Sequence, residues 1–118
     1  MGKIASTDCT PNDLNLVQII RNEMSKKKNV DSVANFLKII SDPTRMRIIM
    51  ILEKNEISVN DISVLMDMTK SAISHQLKVL KDAGYIKDRR SGKNKYYSLF
   101  DEHIMDILNA AYNHVNHC

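Results

Sequence analysis

Apolar residues recur every three to four positions along most of this 118-residue chain, the spacing of helices with one buried face. Leu14, Val17, Ile20 and Met24 mark such a face in PNDLNLVQIIRNEMSKKK, residues 11–28, which closes on a basic run suited to a solvated helix end. VDSVANFLKIIS predicts a second helix. SDPTRMRIIMILEKN predicts a third, with Asp42 as N-cap, Pro43 at the first helical position, and Ile48, Ile49 and Leu52 as its buried face. Residues 1–10 carry no periodicity and read as a disordered arm.

The pattern changes twice after that. In ISVNDISVLMDMTKSAISHQLKVLKDAGYI, Ser58 and Asp61 have capping-box spacing ahead of Ile62, Leu65 and Met66, which predicts a short helix. A break at Asp67 to Thr69 leads to a second helix, N-capped by Thr69, buried through Ile73, Leu77 and Leu80, and ended by Gly84. Two helices joined by so tight a turn predict a helix-turn-helix over residues 58–84. The outward side of its second helix carries Lys70, Ser71, Ser74, His75 and Lys78, with no acidic residue before Asp82. These side chains donate to phosphates and base edges. The chain's one strand-like region follows, residues 85–100, where runs rich in Tyr and Ile flank RRSGKN as a hairpin would. Hairpin and helix-turn-helix together predict a winged helix. Arg89, Arg90, Lys93 and Lys95 gather near the hairpin tip, placed to meet a DNA backbone beside the groove that the second helix enters.

FDEHIMDILNAAYNHVNHC ends the chain and holds three of its four histidines. As a helix it has an apolar stripe of Ile104, Ile107, Leu108, Ala111 and Val115. His103, His114 and His117 fall within roughly 60° of one another along one border of that stripe. His103 and His114 are nevertheless roughly 16 Å apart along the axis at ~1.5 Å per residue, far beyond the reach of one metal ion. The residues therefore read as two half-sites, Asp101 with His103 and His114 with His117. A second copy of the helix, antiparallel along the stripe, completes four ligands twice.

Composition adds limits. A chain that is 43% hydrophobic and 26% charged is an ordinary globular one, and no internal repeat or long linker divides it, so residues 1–118 are expected to form a single domain. The formal charge of +3 permits nucleic-acid binding without requiring it, so the clustering of cations in the hairpin and the preceding helix matters more than the total. With no membrane-length apolar run and no signal-peptide core, the expected location is the cytoplasm, without membrane association. Cys9 and Cys118 belong to no C-x-x-C pair and are expected to be thiols there.

From SDPTRMRI through SAISHQLKVLKDAGYI, GKNKYYSL and the ending DEHI…NHVNHC, roughly Val30 to His117, the chain resembles the ArsR/SmtB family of metal-sensing repressors. The resemblance implies a mainly α fold with a β-hairpin wing, a dimeric winged helix-turn-helix in which the first and last helices, residues 11–28 and 101–117, form the dimer interface. It implies a homodimer that binds operator DNA and releases it when metal binds. The D-x-H and H-x-x-H pattern resembles that of the family's zinc and cobalt sensors and matches at Asp101, His103, His114 and His117. The family's coupling route, from a ligating imidazole to a backbone carbonyl between recognition helix and wing, corresponds here to His114 and the neighbourhood of Gly84.

The departures sharpen this expectation. Sensors of softer metals in the family place cysteine in the helix that opens the helix-turn-helix, and EISVNDIS has none. Three imidazoles and a carboxylate suit Zn²⁺, with Co²⁺ acceptable. A zinc enzyme keeps an open coordination position, whereas this set closes the shell, and no His-Glu-x-x-His or nucleophile motif is present. The alternative is a winged-helix regulator with a redox or other non-metal input, for instance through Cys9 and Cys118.

Overall fold

The computed structural model describes residues 7–117, so the arm expected over residues 1–10 lies mostly outside the described residues, as does Cys118; residues 7–10 are exposed and irregular. Contacts divide the chain into one unit ending at Ala34 and another beginning at Asn35. Among the described residues the order is α1 (Leu14–Ser25), α2 (Val30–Ile40), α3 (Pro43–Ile51), β1 (Ile57–Ser58), α4 (Val59–Met66), α5 (Lys70–Asp82), β2 (Ile86–Ser91), β3 (Asn94–Leu99) and α6 (His103–Asn116).

In the first unit, α1 begins at Leu14, the first residue of its apolar pattern, and is shorter at both ends than the segment 11–28. Asp13 sets that start, its carboxylate accepting the Leu16 N–H at 3.0 Å. None of the α1 side chains is buried, and Leu14, Leu16, Ile19, Ile20 and Met24 are all about half exposed. Asn29, at φ 60°, turns the chain into α2, whose first residues complete this unit.

The second unit is built around side chains from helices α2 to α6 and strands β2 and β3. Ile48 and Ile49 of α3, Ile62 of α4, and Ile73, Leu77 and Leu80 of α5 are wholly buried, with Tyr85 and Ile86 closing the core toward the sheet. Each aliphatic side chain so placed contributes roughly 1.5–3 kcal/mol relative to exposure. The predicted start signals operate. Asp42 accepts the Arg45 N–H, Ser58 the Asp61 N–H and Thr69 the Ala72 N–H, at 3.0, 3.2 and 3.1 Å. Arg45 also joins three segments, with its Nε donating to Gln76 of α5 and its Nη1 to the Ile39 carbonyl of α2.

Gly84 ends α5 at φ 87° in a Schellman motif. Its N–H reaches the Lys81 carbonyl and the Tyr85 N–H that of Leu80. Tyr85 then stacks on Phe36 with ring centroids 4.1 Å apart and donates its hydroxyl to the Phe36 carbonyl at 2.7 Å. Burial pushes the Tyr85 phenol up to about 12.

Four details depart from the sequence reading. The sheet has a third strand, β1, in the order β1-β3-β2, with Ile57 opposite Tyr97 and Ser58 opposite Tyr96. Two residues are too few to show a strand period. The wing's strands run further into RRSGKN than expected, leaving a two-residue turn at Gly92 and Lys93; Gly92 takes φ 63° as the first turn residue, the position glycine fills in a II′ hairpin. Leu65 is 61% exposed, because Val59, Ile62 and Met66 already form the core-facing side of α4. In α6 the buried residues are Ile104, Met105 and Leu108, while Ile107, Ala111 and Val115 are exposed.

Candidate nucleic-acid interface and metal half-sites

The turn of the helix-turn-helix is made by Asp67, a non-glycine residue at φ 55° whose N–H caps α4, and by Thr69, whose side chain opens α5. This arrangement turns one side of α5 into the core through Ile73, Leu77 and Leu80 and leaves Lys70, Ser71, Ser74, His75 and Lys78 exposed. An open groove runs from α5 to the wing. Lys70, Ser74, Lys78 and Lys81 line it from the helix, and Arg90, Lys93 and Lys95 from the hairpin.

Strand alternation decides which of the predicted cations share that groove. In the antiparallel pairing Asp88 lies opposite Tyr97 and Arg90 opposite Lys95, and all four line the groove. Arg89 lies opposite Tyr96 and belongs to the other face of the sheet. There its guanidinium stacks over Tyr96, 5.2 Å from the ring centroid, and pairs with Glu56, Nη2 lying 2.7 Å from Oε1. The hydrogen bond to Glu56 holds the Arg89 pKa above its ordinary value. The structure thus brings Arg90, Lys93 and Lys95 together with the α5 side chains and sets Arg89 apart.

Two carboxylates within the groove were not among the residues singled out from sequence. Asp82 pairs with Lys78 one helical turn away at 3.1 Å, both side chains well exposed. Asp88 is different: its Oδ2 receives both Lys81 at 3.1 Å and Lys95 at 3.4 Å, and its side chain is only 15% exposed. Burial works to raise its pKa, but the two lysine hydrogen bonds prevail and hold it below the ordinary carboxylate value. An acidic residue in an otherwise basic strand was the only signal in the sequence; the pairing depends on contacts across two elements.

At the other end of this unit, α6 is a single uninterrupted helix from His103 to Asn116. Asp101 precedes it and accepts the His103 backbone N–H at 2.9 Å, which also brings its carboxylate 3.4 Å from His103 Nδ1. His103 and His114 project within ~20° of each other at 100° per residue. His117 does not continue that border: it is the C-cap, with extended backbone at φ −69° and ψ 148°. All four candidate ligands are exposed. Among the described residues no three His, Cys, Asp or Glu side chains of one chain stand close enough to hold a metal ion. Cys9 is a free, exposed cysteine whose backbone N–H donates to Thr7 Oγ1 and whose thiol lies 3.9 Å from the Asp8 carboxylate.

Comparison with known proteins agrees with this architecture. Residues 42–88 match the family described as bacterial regulatory protein, arsR family. The chain is 33% identical over 102 residues to the transcriptional repressor SmtB homologue of a Synechocystis species, covering 86% of this chain and 77% of the relative. The chain belongs to the ArsR family. It is also 37% identical over 89 residues to the cadmium resistance transcriptional regulatory protein CadC homologue of Staphylococcus aureus, covering 75% of this chain and 74% of that protein. Among solved structures it resembles a homodimeric winged helix-turn-helix DNA-binding domain from Mycobacterium bovis with a TM-score of 0.67 and 27% identity, over 75% of this chain and 86% of the other. The ArsR-family chain is accordingly a winged-helix transcriptional regulator of the DNA-binding kind and not an enzyme. None of its described helices is long and apolar enough to cross a membrane.

Proposed function

We propose that this chain is a metal-responsive repressor, a cytoplasmic homodimer that binds operator DNA without metal and loses DNA affinity when zinc fills sites shared between two copies. The observation that carries this reading lies on α6. Its two half-sites, Asp101 with His103 and His114 with His117, flank an exposed apolar strip of Ile107, Ala111 and Val115. A second α6 running antiparallel would cover that strip and bring each half-site to its complement. The exposed apolar residues of α1 support a dimerising role for that helix too. Residues 11–28 and 101–117 would then be the dimerisation helices of a winged-helix domain spanning residues 1–118.

Three imidazoles and one carboxylate would hold zinc, with cobalt as a spectroscopic substitute, and would supply a closed structural shell without a position for reacting water. On the DNA side, Ser74, His75 and Lys70 of α5 are assigned to base edges. Ser71 and Lys78, with Arg90, Lys93 and Lys95 of the wing, are assigned to the backbone. The two roles meet through linkage. Metal and DNA must favour different arrangements of the dimer, and a ~100- to 1,000-fold loss of DNA affinity corresponds to about 3–4 kcal/mol of coupling.

Mixed dimers test the shared site directly. One copy carries Asp101→Asn with His103→Asn and the other His114→Asn with His117→Asn. Either variant alone is expected to form dimers without tight sites, whereas the mixed dimer regains one Zn²⁺ per dimer in calorimetry, with intense tetrahedral bands when Co²⁺ is used. Tight binding by either unmixed variant would show that the shell does not cross between copies. Addition of Zn²⁺ to the wild-type protein–DNA complex should lower fluorescence anisotropy of the labelled duplex. Full retention of DNA at saturating zinc would remove the metal-responsive reading and favour a non-metal input.

A further inference from the structure

Asp88 is an anomaly in the groove assigned to DNA. It lies among Lys70, Lys78, Lys81, Arg90, Lys93 and Lys95, where a carboxylate would repel phosphate. Its position explains what it does instead. Lys81 projects from the last turn of α5, Lys95 from β3, and Asp88 itself stands on β2, so one carboxylate oxygen receives ammonium groups from the end of the recognition helix and from the second wing strand. Exposed ion pairs hold little orientation energy, as with Lys78 and Asp82 in the same groove. Asp88 is mostly shielded and shared by two donors, conditions under which such a contact holds geometry.

We infer that Asp88 is a specificity-determining positioning residue for DNA binding, holding Lys81 and Lys95 on one carboxylate as a strut between recognition helix and wing. The inference rests on the groove being the DNA-binding face. Two consequences follow from the same contact. The strut sets the spacing between the exposed readers on α5 and the cations of the wing, so that both reach their targets only on DNA of the right shape and sequence. It also neutralises part of the charge that Lys81 and Lys95 present to phosphates, which limits the sequence-independent part of the affinity.

The test compares two 30-base-pair duplexes, one selected from a random pool by the full-length wild-type protein and one with the same composition scrambled. Asp88→Asn preserves shape but removes the charge that holds the lysines. It is expected to strengthen binding to the scrambled duplex about 10-fold, to steepen its salt dependence by up to about 2 per protomer, and to lower the selected-to-scrambled ratio several-fold. A purely structural role would instead weaken both duplexes equally at an unchanged salt slope, and that result, like wild-type behaviour of a folded variant, overturns the inference. Lys81→Gln gives an independent arm, since this exposed side chain can change without disturbing the core. The selected duplex should then lose more affinity than the scrambled one; equal losses would make Lys81 an ordinary phosphate contact and overturn the strut. Failure of the wild-type protein to select any duplex would remove the assignment of the groove itself, an outcome distinct from failure of either variant.

Discussion

Arg89 grips Glu56 on the face of the sheet opposite the basic groove, its Nε donating at 2.9 Å to both carboxylate oxygens. Its neighbour Arg90 lines the groove. Consecutive residues of one strand therefore have unlike roles. Arg90→Ala is expected to weaken binding to all DNA sequences alike and to reduce the salt slope by about 1 per protomer. Arg89→Ala should reduce that slope by less than half as much. Glu56→Gln, which releases Arg89, should not lower DNA affinity. Salt titrations of binding measured by anisotropy check all three, and equal slopes for the two arginine variants would contradict the division by sheet face.

Ser74 lines the basic groove, and His75, its neighbour on α5, is exposed. Replacing either with Ala should cost roughly 1–3 kcal/mol on the preferred duplex and little on scrambled DNA. Equal loss on both would move these residues from base reading to backbone contact.

Tyr85 links pH to stability. Its phenol is pushed up to about 12 by burial, so the neutral, hydrogen-bonded form is the one the fold favours. Because the folded value lies above the usual 10, this stabilisation is complete below pH 10 and is lost as pH rises toward 12. Urea denaturation should show falling stability across that window. Tyr85→Phe should lose roughly 0.5–1.5 kcal/mol at neutral pH, from the lost hydroxyl bond to the Phe36 carbonyl, and flatten the alkaline decline. A decline equally steep in the variant would assign it to other groups.

Two left-handed positions should respond in opposite directions. Gly84 sits at φ 87° with nothing within 4 Å of where a Cβ would stand, so Gly84→Ala costs backbone strain alone, roughly 1–2 kcal/mol. Asp67 already bears a side chain at φ 55°, so Asp67→Gly should be neutral or stabilising by up to about 1 kcal/mol. Thermal unfolding measures both, and a destabilised Asp67→Gly variant would show that the carboxylate contributes more than the strain it imposes.

The proposed coupling from His114 to the Gly84 junction predicts that metal binding and DNA release are separable. Once one imidazole nitrogen ligates a metal, the other is an N–H donor that requires an acceptor. A histidine analogue at position 114 that keeps the ligating nitrogen and carries a methyl group on the other should retain tetrahedral Co²⁺ spectra while DNA stays bound. Release of DNA at wild-type metal concentrations would route the coupling through helix packing instead.

Local chemistry was legible without the fold. Asp42, Ser58 and Thr69 cap the helices they were expected to cap, and Gly84 ends α5, because such signals act over three or four residues of the same chain. The helical period likewise placed Ile73, Leu77 and Leu80 in the core. That His103 and His114 project from one side of α6 was also readable, since a helix has a fixed rise and turn, whereas the extended backbone of His117 was not. Tertiary structure decided what depends on partners distant in sequence. It paired Ile57 and Ser58 with β3, turned Arg89 toward Glu56, and set Asp88 between Lys81 and Lys95. It also selected Met105 rather than Ile107 for burial, because a periodic pattern defines an apolar side but not the width or direction of the core that meets it. A sequence lists the charges available to a surface, whereas the pairing of strands and the seating of a helix determine which of them face the same space.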